Sequence, residues 1–154
     1  MSANETAPDN QTSSEAIHST RSAEDVNAEM VAAGKTPCWK PGTTVVEKTV
    51  PAGSQYNIAV ENAQAQNLAE GGTWFGDFAS QDPIPSQSYA ENNLAIKVPE
   101  WKPDISQVAT VQTTGPQLVR TGIAGPVDNL PGGASQVQFS NPSSTYFPGS
   151  KTCL

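Results

Sequence analysis

The feature that most constrains the fold lies in the last third of the chain, where Leu118-Val-Arg-Thr-Gly-Ile-Ala-Gly-Pro126 is followed by Pro131-Gly-Gly-Ala-Ser-Gln-Val-Gln-Phe139. The first piece has the composition of a strand that ends in a tight glycine turn. The second is a glycine hinge feeding a short strand in which polar and apolar residues alternate. Side chains repeat every two residues along a strand, so Gln136 and Gln138 share one face. Two amides on one face can line a cleft for a polar ligand. The plainer reading makes them the solvent face of an edge strand.

From Lys40 onward the sequence is β-type, broken by Pro and Gly. Residues 43–50 have strand composition, Pro51-Ala-Gly53 makes a turn, and residues 55–60 read as a second strand or the start of a helix. Residues 59–70 contain no breaker and end at Gly71-Gly72, which predicts a helix. A short helical segment is expected at 89–95, and strands at 105–113, 117–123 and 135–140, before a turn-rich tail at 141–149. These elements predict a single α+β domain over residues 37–154, built on a twisted, mainly antiparallel sheet with one or two short helices.

Residues 1–21 carry almost no large apolar side chains and read as a disordered tail. Ser22-Ala-Glu-Asp25 has the form of a capping box, and Val26, Met30 and Ala33 follow at helical spacing before Gly34. Residues 1–36 are therefore expected to be a flexible acidic tail with a short helix in it. The formal net charge is −7, divided as −4 over residues 1–36 and −3 over the remainder. That balance argues against nucleic acid, whose phosphates need clustered Lys and Arg, and suits a small polar ligand or a basic protein partner. The first residues have neither the basic start nor the apolar core of a classical signal peptide. No window approaches the ~20 apolar residues of a membrane span, so membrane insertion is not expected. Cys38 and Cys153 bracket the predicted domain. A disulfide between them would contribute up to roughly 4–5 kcal/mol in the chain-entropy model, and two free thiols are the alternative.

The single histidine, His18, falls in the expected tail, which removes Ser-His-Asp and Cys-His catalysis from the predicted domain. Two distant cysteines without histidine leave a zinc shell short, so no metal is expected. Walker, Gly-x-Gly-x-x-Gly and EF-hand motifs are absent. Chemistry that needs neither histidine nor metal remains. Cleavage of the bond between nicotinamide and ribose is of this kind, because the leaving group already carries positive charge and departs without protonation. The protein must hold the dinucleotide, recognise the carboxamide and stabilise an oxocarbenium-like ribose.

The run from Gln117 to Pro126, with the Gly-Gly-x-x-Gln element that ends at Gln136, resembles the C-terminal part of TNT-type toxin domains, the NAD glycohydrolases found at the ends of bacterial polymorphic toxins. Glu47-Lys-Thr-Val-Pro-Ala-Gly-Ser-Gln-Tyr56 is similar to the opening of ADP-ribosyltransferase-like toxin domains, with Asn93-Leu-Ala-Ile96 and Trp101-Lys-Pro-Asp104 in place of their middle segment. The resemblance covers roughly residues 40–140. It implies an NAD-consuming toxin, secreted or delivered into a target cell, with NAD as substrate and a cognate immunity protein as partner. An acidic toxin implies an immunity protein with a basic face. The resemblance also places Gln136 at the nicotinamide ribose, with Gln138 beside it where transferases carry their catalytic glutamate, and Arg120 at a phosphate. Two departures follow. The first strand holds no arginine, Lys48 being its nearest cation, and the transferase glutamate is missing, which favours hydrolysis over ADP-ribosyl transfer.

Trp74, Phe75 and Phe78 follow two glycines and could form a wall on which nicotinamide or adenine stacks, although core packing is the commoner fate of such a cluster. Trp101, between Pro99 and Pro103, is expected to pin a loop to the core. Glu91, Glu100 and Asp104 are carboxylates whose spacing singles none of them out. A second hypothesis from another class is a non-enzymatic structural or binding module of a larger secreted assembly. The two separate on geometry: an enzyme gathers Gln136, Arg120 and an aromatic in one cleft, and a module scatters them.

Overall fold

A computed structural model describes residues 15–72 and 76–140, together with the backbone of strands at 145–146 and 151–153. The elements in chain order are β1 (Ala16–Ser22), α1 (Ala23–Ala32), β2 (Thr44–Val50), β3 (Gln55–Val60), α2 (Asn62–Ala69), β4 (Phe78–Ala79), α3 (Gln87–Asn93), β5 (Gln107–Thr113), β6 (Gln117–Ile123), β7 (Ser135–Phe139), β8 (Thr145–Tyr146) and β9 (Lys151–Cys153). They form two open antiparallel sheets, one ordered β1-β2-β6-β7-β4 and the other β3-β5-β8, with β9 also on β5. The expected α+β architecture is present, with two sheets where one was predicted; α2 and α3 are the short helices expected within residues 37–154, and α1 is the one expected before them.

The sheets face one another across the main core. Val50, Val119, Val137 and Phe139 from the first meet Tyr56, Ile58, Val60, Ala109 and Val111 from the second. Phe139 and Tyr56 pack edge to face, with ring centroids 5.3 Å apart. Each such buried side chain contributes about 1.5–3 kcal/mol on transfer from water. Pro51-Ala-Gly53 carries the chain from the first sheet to the second, and residues 114–116 carry it back. Buried Thr113 clasps this corner, its hydroxyl donating to the Pro51 carbonyl at 2.8 Å and its own carbonyl accepting from Gly53 N at 2.8 Å.

Helices α1 and α3 pack outside the main core, and α2 packs against it. Ala90 and Leu94 of the α3 region pack with Ala59, Val108 and Ile105 behind the second sheet. Ser86 caps α3 by accepting from Tyr89 N at 3.0 Å. In α2, Ala65 and Leu68 turn one face inward.

The expected tail boundary is corrected between residues 16 and 36. β1 pairs with β2 from Ala16 to Ser22, and Ala23, Val26 and Met30 of α1 are buried against Trp39 and Val45. The predicted cap is present, since Ser22 accepts from Asp25 N at 3.1 Å. β1 buries no large apolar side chain, its Ile17 being exposed, and is held by its ladder and by polar cross-strand pairs, such as Ser19 Oγ donating to Glu47 at 2.7 Å. Composition therefore made it look unfolded. His18 sits on this strand, 2.6 Å from Thr49 Oγ1, and is not in a tail. Residues 1–14 lie outside the described residues. Among the described residues no helix is long and apolar enough to cross a membrane.

Candidate functional site

A cleft of about 480 Å³ opens beside β3, β4 and β7, closed by the loops around residues 35–38, 94–102 and 125–127. Its scale is that of small-molecule and cofactor sites. The β3 and β4 sides are joined by a two-way bridge, Asn57 N to Ser80 O and Ser80 N to Asn57 O, each 2.8 Å. Much of the wall is apolar, from Ile58, Ala59, Ala79, Ile84 and Leu94.

Gln136 and Gln138 both line this cleft, side by side on β7 as the two-residue period requires. β7 is not an edge strand: it runs between β6 and β4, and Gln136 is only 6% exposed. Gln136 Nε2 donates to the Cys38 carbonyl at 3.1 Å, tying the 35–38 segment to the sheet. Gln138 Oε1 is buried and, among the described residues, has no hydrogen-bond partner. An unpaired buried acceptor costs about 1–3 kcal/mol.

The hinge before β7 requires its glycines. Gly132 has φ +72°, and a Cβ there would lie 2.6 Å from the Gly125 carbonyl oxygen. This close approach lets Gly132 N, Gly133 N and Ala134 N reach the Asn92, Ala124 and Asn93 carbonyls at 2.7, 2.8 and 2.9 Å. It also fixes where β7 begins.

Arg120 is not part of the cleft. Its Nε donates to Glu47 at 2.8 Å and its Nη2 to Glu29 at 3.1 Å, binding β6 to β2 and α1. The guanidinium, followed by Ser19, holds the Glu47 carboxyl below the ordinary carboxylate value. Lys48 is likewise remote from the cleft lining and pairs with Glu15 at 2.6 Å. Trp74 and Phe75 lie outside the described residues. Phe78 does line the cleft, at 38% exposed. Trp101 does not pin a core: half exposed, it stands at the cleft with Lys97 Nζ 5.7 Å from its ring centroid.

Sequence reasoning passed over Asp77, Lys35 and Lys102, the charged side chains of the lining. Glu91, Glu100 and Asp104 are not among the lining residues. Lys102 Nζ donates to the Ala59 carbonyl and to Gln64 Oε1, the latter at 2.8 Å. Burial pulls its ammonium down to about 8. The signal for this loop was Pro99-Glu-Trp-Lys-Pro103 itself, whose neighbours Trp101 and Lys102 both line the cleft.

Cys38 also lines the cleft and carries a free thiol, 3.6 Å from Met30 Sδ. Of the two alternatives for this cysteine, the free thiol is the one present. Burial pushes its pKa up to about 12, far from the thiolate a nucleophile needs.

Two open sheets with a largely apolar cleft, which among the described residues carries two neighbouring amides, one carboxylate and two cations, define a small α+β domain. No protein-family profile and no curated protein matches the chain. Among solved structures, Tne2, determined in complex with Tni2, is 41% identical, with a TM-score of 0.71 over 75% of this chain and 97% of that one. The chain belongs to the Tne2 family.

Proposed function

We propose that the chain is the toxin of a toxin–immunity pair and that it kills by consuming NAD, hydrolysing the nicotinamide-ribose bond. Tne2 and Tni2 are such a pair, which supports the toxin and its protein partner. The observation that carries the NAD reading is the side-by-side placement of Gln136 and Gln138 in the cleft, with Gln138 Oε1 unpartnered. A primary carboxamide is both donor and acceptor, so a glutamine amide complements that of nicotinamide.

In this reading the C1′–N1 bond breaks and its electron pair stays on nicotinamide, neutralising the pyridinium. A water oxygen then bonds to C1′ and releases one proton. Asp77, the carboxylate of the lining, is the group to stabilise positive charge on the ribose or to accept that proton. The glutamines orient the dinucleotide, and the apolar wall restricts water to the attacking face. The immunity protein, facing a chain of net charge −7, presents a basic surface. The geometric contrast with a structural module is met in part: Gln136 and the aromatic side chains Phe78 and Trp101 meet in one cleft, while Arg120 stands apart from it on Glu47 and Glu29.

The test is free nicotinamide released from NAD by the purified chain, beside Gln136→Ala. Release that drops at least a hundredfold in the variant supports the reading. No release, with no NAD-dependent rise in melting temperature, overturns it.

A further inference from the structure

The ion pairs of the described residues divide the cations into two groups. Arg21, Lys48, Lys97 and Arg120 each hold a carboxylate. Lys35, Lys40 and Lys102 hold none among the described residues, and of these Lys35 and Lys102, which come from separate segments of the chain, line the cleft. Lys102 is the more telling of the two. Its Nζ is held by two neutral acceptors, the Ala59 carbonyl and Gln64 Oε1, which leaves one of its three donors unassigned among the described residues. Glu61 lies near enough to favour the charged form but forms no ion pair with it. A partly buried ammonium with neutral partners is costly for a fold to keep, and an anion entering the cleft would complete its shell. Two unpaired cations in a mostly apolar cleft suit a ligand with concentrated negative charge between less polar ends.

We propose that Lys102, assisted by Lys35, is the anion-binding residue of the cleft and receives the pyrophosphate of a dinucleotide. The assignment replaces Arg120 and Lys48, whose charges are already taken. It rests on the NAD reading for the ligand's identity, but not for the presence of an anion site.

Two measurements separate the two claims. The first is binding of ADP and of adenosine to the wild-type protein, with no turnover involved. ADP should bind at least tenfold more tightly than adenosine, and the difference should shrink as salt rises. The second is nicotinamide release from NAD and from nicotinamide riboside, which carries the same scissile bond without phosphate. Lys102→Met should raise KM for NAD at least tenfold and leave nicotinamide riboside within about twofold, while Lys102→Arg restores part of the NAD affinity. Lys35→Ala, at an exposed position, should do the same to a smaller extent even if Lys102→Met does not fold.

Wild-type protein that binds ADP no better than adenosine overturns the anion site, even if it cleaves NAD. A Lys102→Met variant that loses both substrates equally also overturns it, since that is what a purely structural lysine would do. Protein that prefers ADP but releases no nicotinamide keeps the anion site and overturns the glycohydrolase reading.

Discussion

Gln136 on β7 donates its side-chain amide to the main-chain carbonyl of Cys38, 98 residues earlier in the chain, at 3.1 Å. This bond ties the segment after α1 to an inner strand of the five-stranded sheet and holds one wall of the cleft against another. Its neighbour Gln138 has a buried carbonyl oxygen without a partner among the described residues. The two glutamines therefore differ in what they do for the empty protein, although they share a face.

Substitution should separate these roles. Gln136→Ala leaves the Cys38 carbonyl without its donor, and should lower stability by about 1–3 kcal/mol as well as activity. Gln138→Leu removes an unsatisfied buried acceptor, and should keep or raise the melting temperature while nicotinamide release falls at least tenfold. Thermal melts of both variants, run beside turnover, decide the point. A Gln138→Leu protein less stable than Gln136→Ala would mean that Gln138 is structural.

Arg120 should behave in the opposite way. Its guanidinium links Glu47 on β2 and Glu29 on α1, and Arg21 meets Glu29 at 2.7 Å from β1. Arg120→Ala should lower the melting temperature by a few degrees, less at high salt because the pairs are partly exposed. NAD turnover should stay within about twofold of wild type. A loss of turnover without a loss of stability would return Arg120 to the site.

Much of the sheet was legible because period-two alternation survives in β7 and because Pro51-Gly53 and Gly132-Gly133 punctuate it. β1 was not legible. Its residues Ser19, Thr20 and Arg21 are those of a solvated segment, and only pairing with β2 makes them a strand. Gln136 and Gln138 could be placed on one face from spacing alone. Whether that face met solvent or a cleft depended on β4, a two-residue strand that pairs Phe78 with Gln138. The cations failed for a related reason. Arg120 and Lys102 look alike in a sequence, and only the location of Glu47 and Glu29 shows that one of them is already paired.

The Cys38 thiol should leave a pH signature in stability. In the folded protein burial raises its pKa from the ordinary 9.0 to about 12. Above pH 9 the unfolded chain loses this proton while the folded chain keeps it, so the stability present below pH 9 is lost as pH climbs towards 12. Burial likewise raises Tyr56 to about 12, with the same sign above pH 10. Lys102 has the opposite sign: its depressed value penalises the fold below about 8, and that penalty is relieved as pH rises towards 10.5. Comparison with Cys38→Ala isolates the thiol. From pH 8 to 10.5 the melting temperature of wild type should fall relative to the variant, and parallel curves would show that the thiol titrates normally.

The hinge offers a test of how the fold sets the site. Gly132 and Gly133 both have positive φ, +72° and +105°, but a Cβ at Gly132 would run into the Ala124 and Gly125 carbonyls whereas one at Gly133 would meet nothing within 4 Å. Gly133→Ala carries backbone strain alone, about 1–3 kcal/mol. Gly132→Ala adds a collision with backbone that cannot swing aside, for a total on the order of 4 kcal/mol. Relief of that collision would have to move the start of β7, and with it Gln136 and Gln138. Gly132→Ala should therefore lose nicotinamide release even at temperatures where circular dichroism shows it folded, while Gly133→Ala should keep most of it. Equal losses in the two variants would show that backbone strain matters there and that the close approach of Gly132 to residues 124–125 does not.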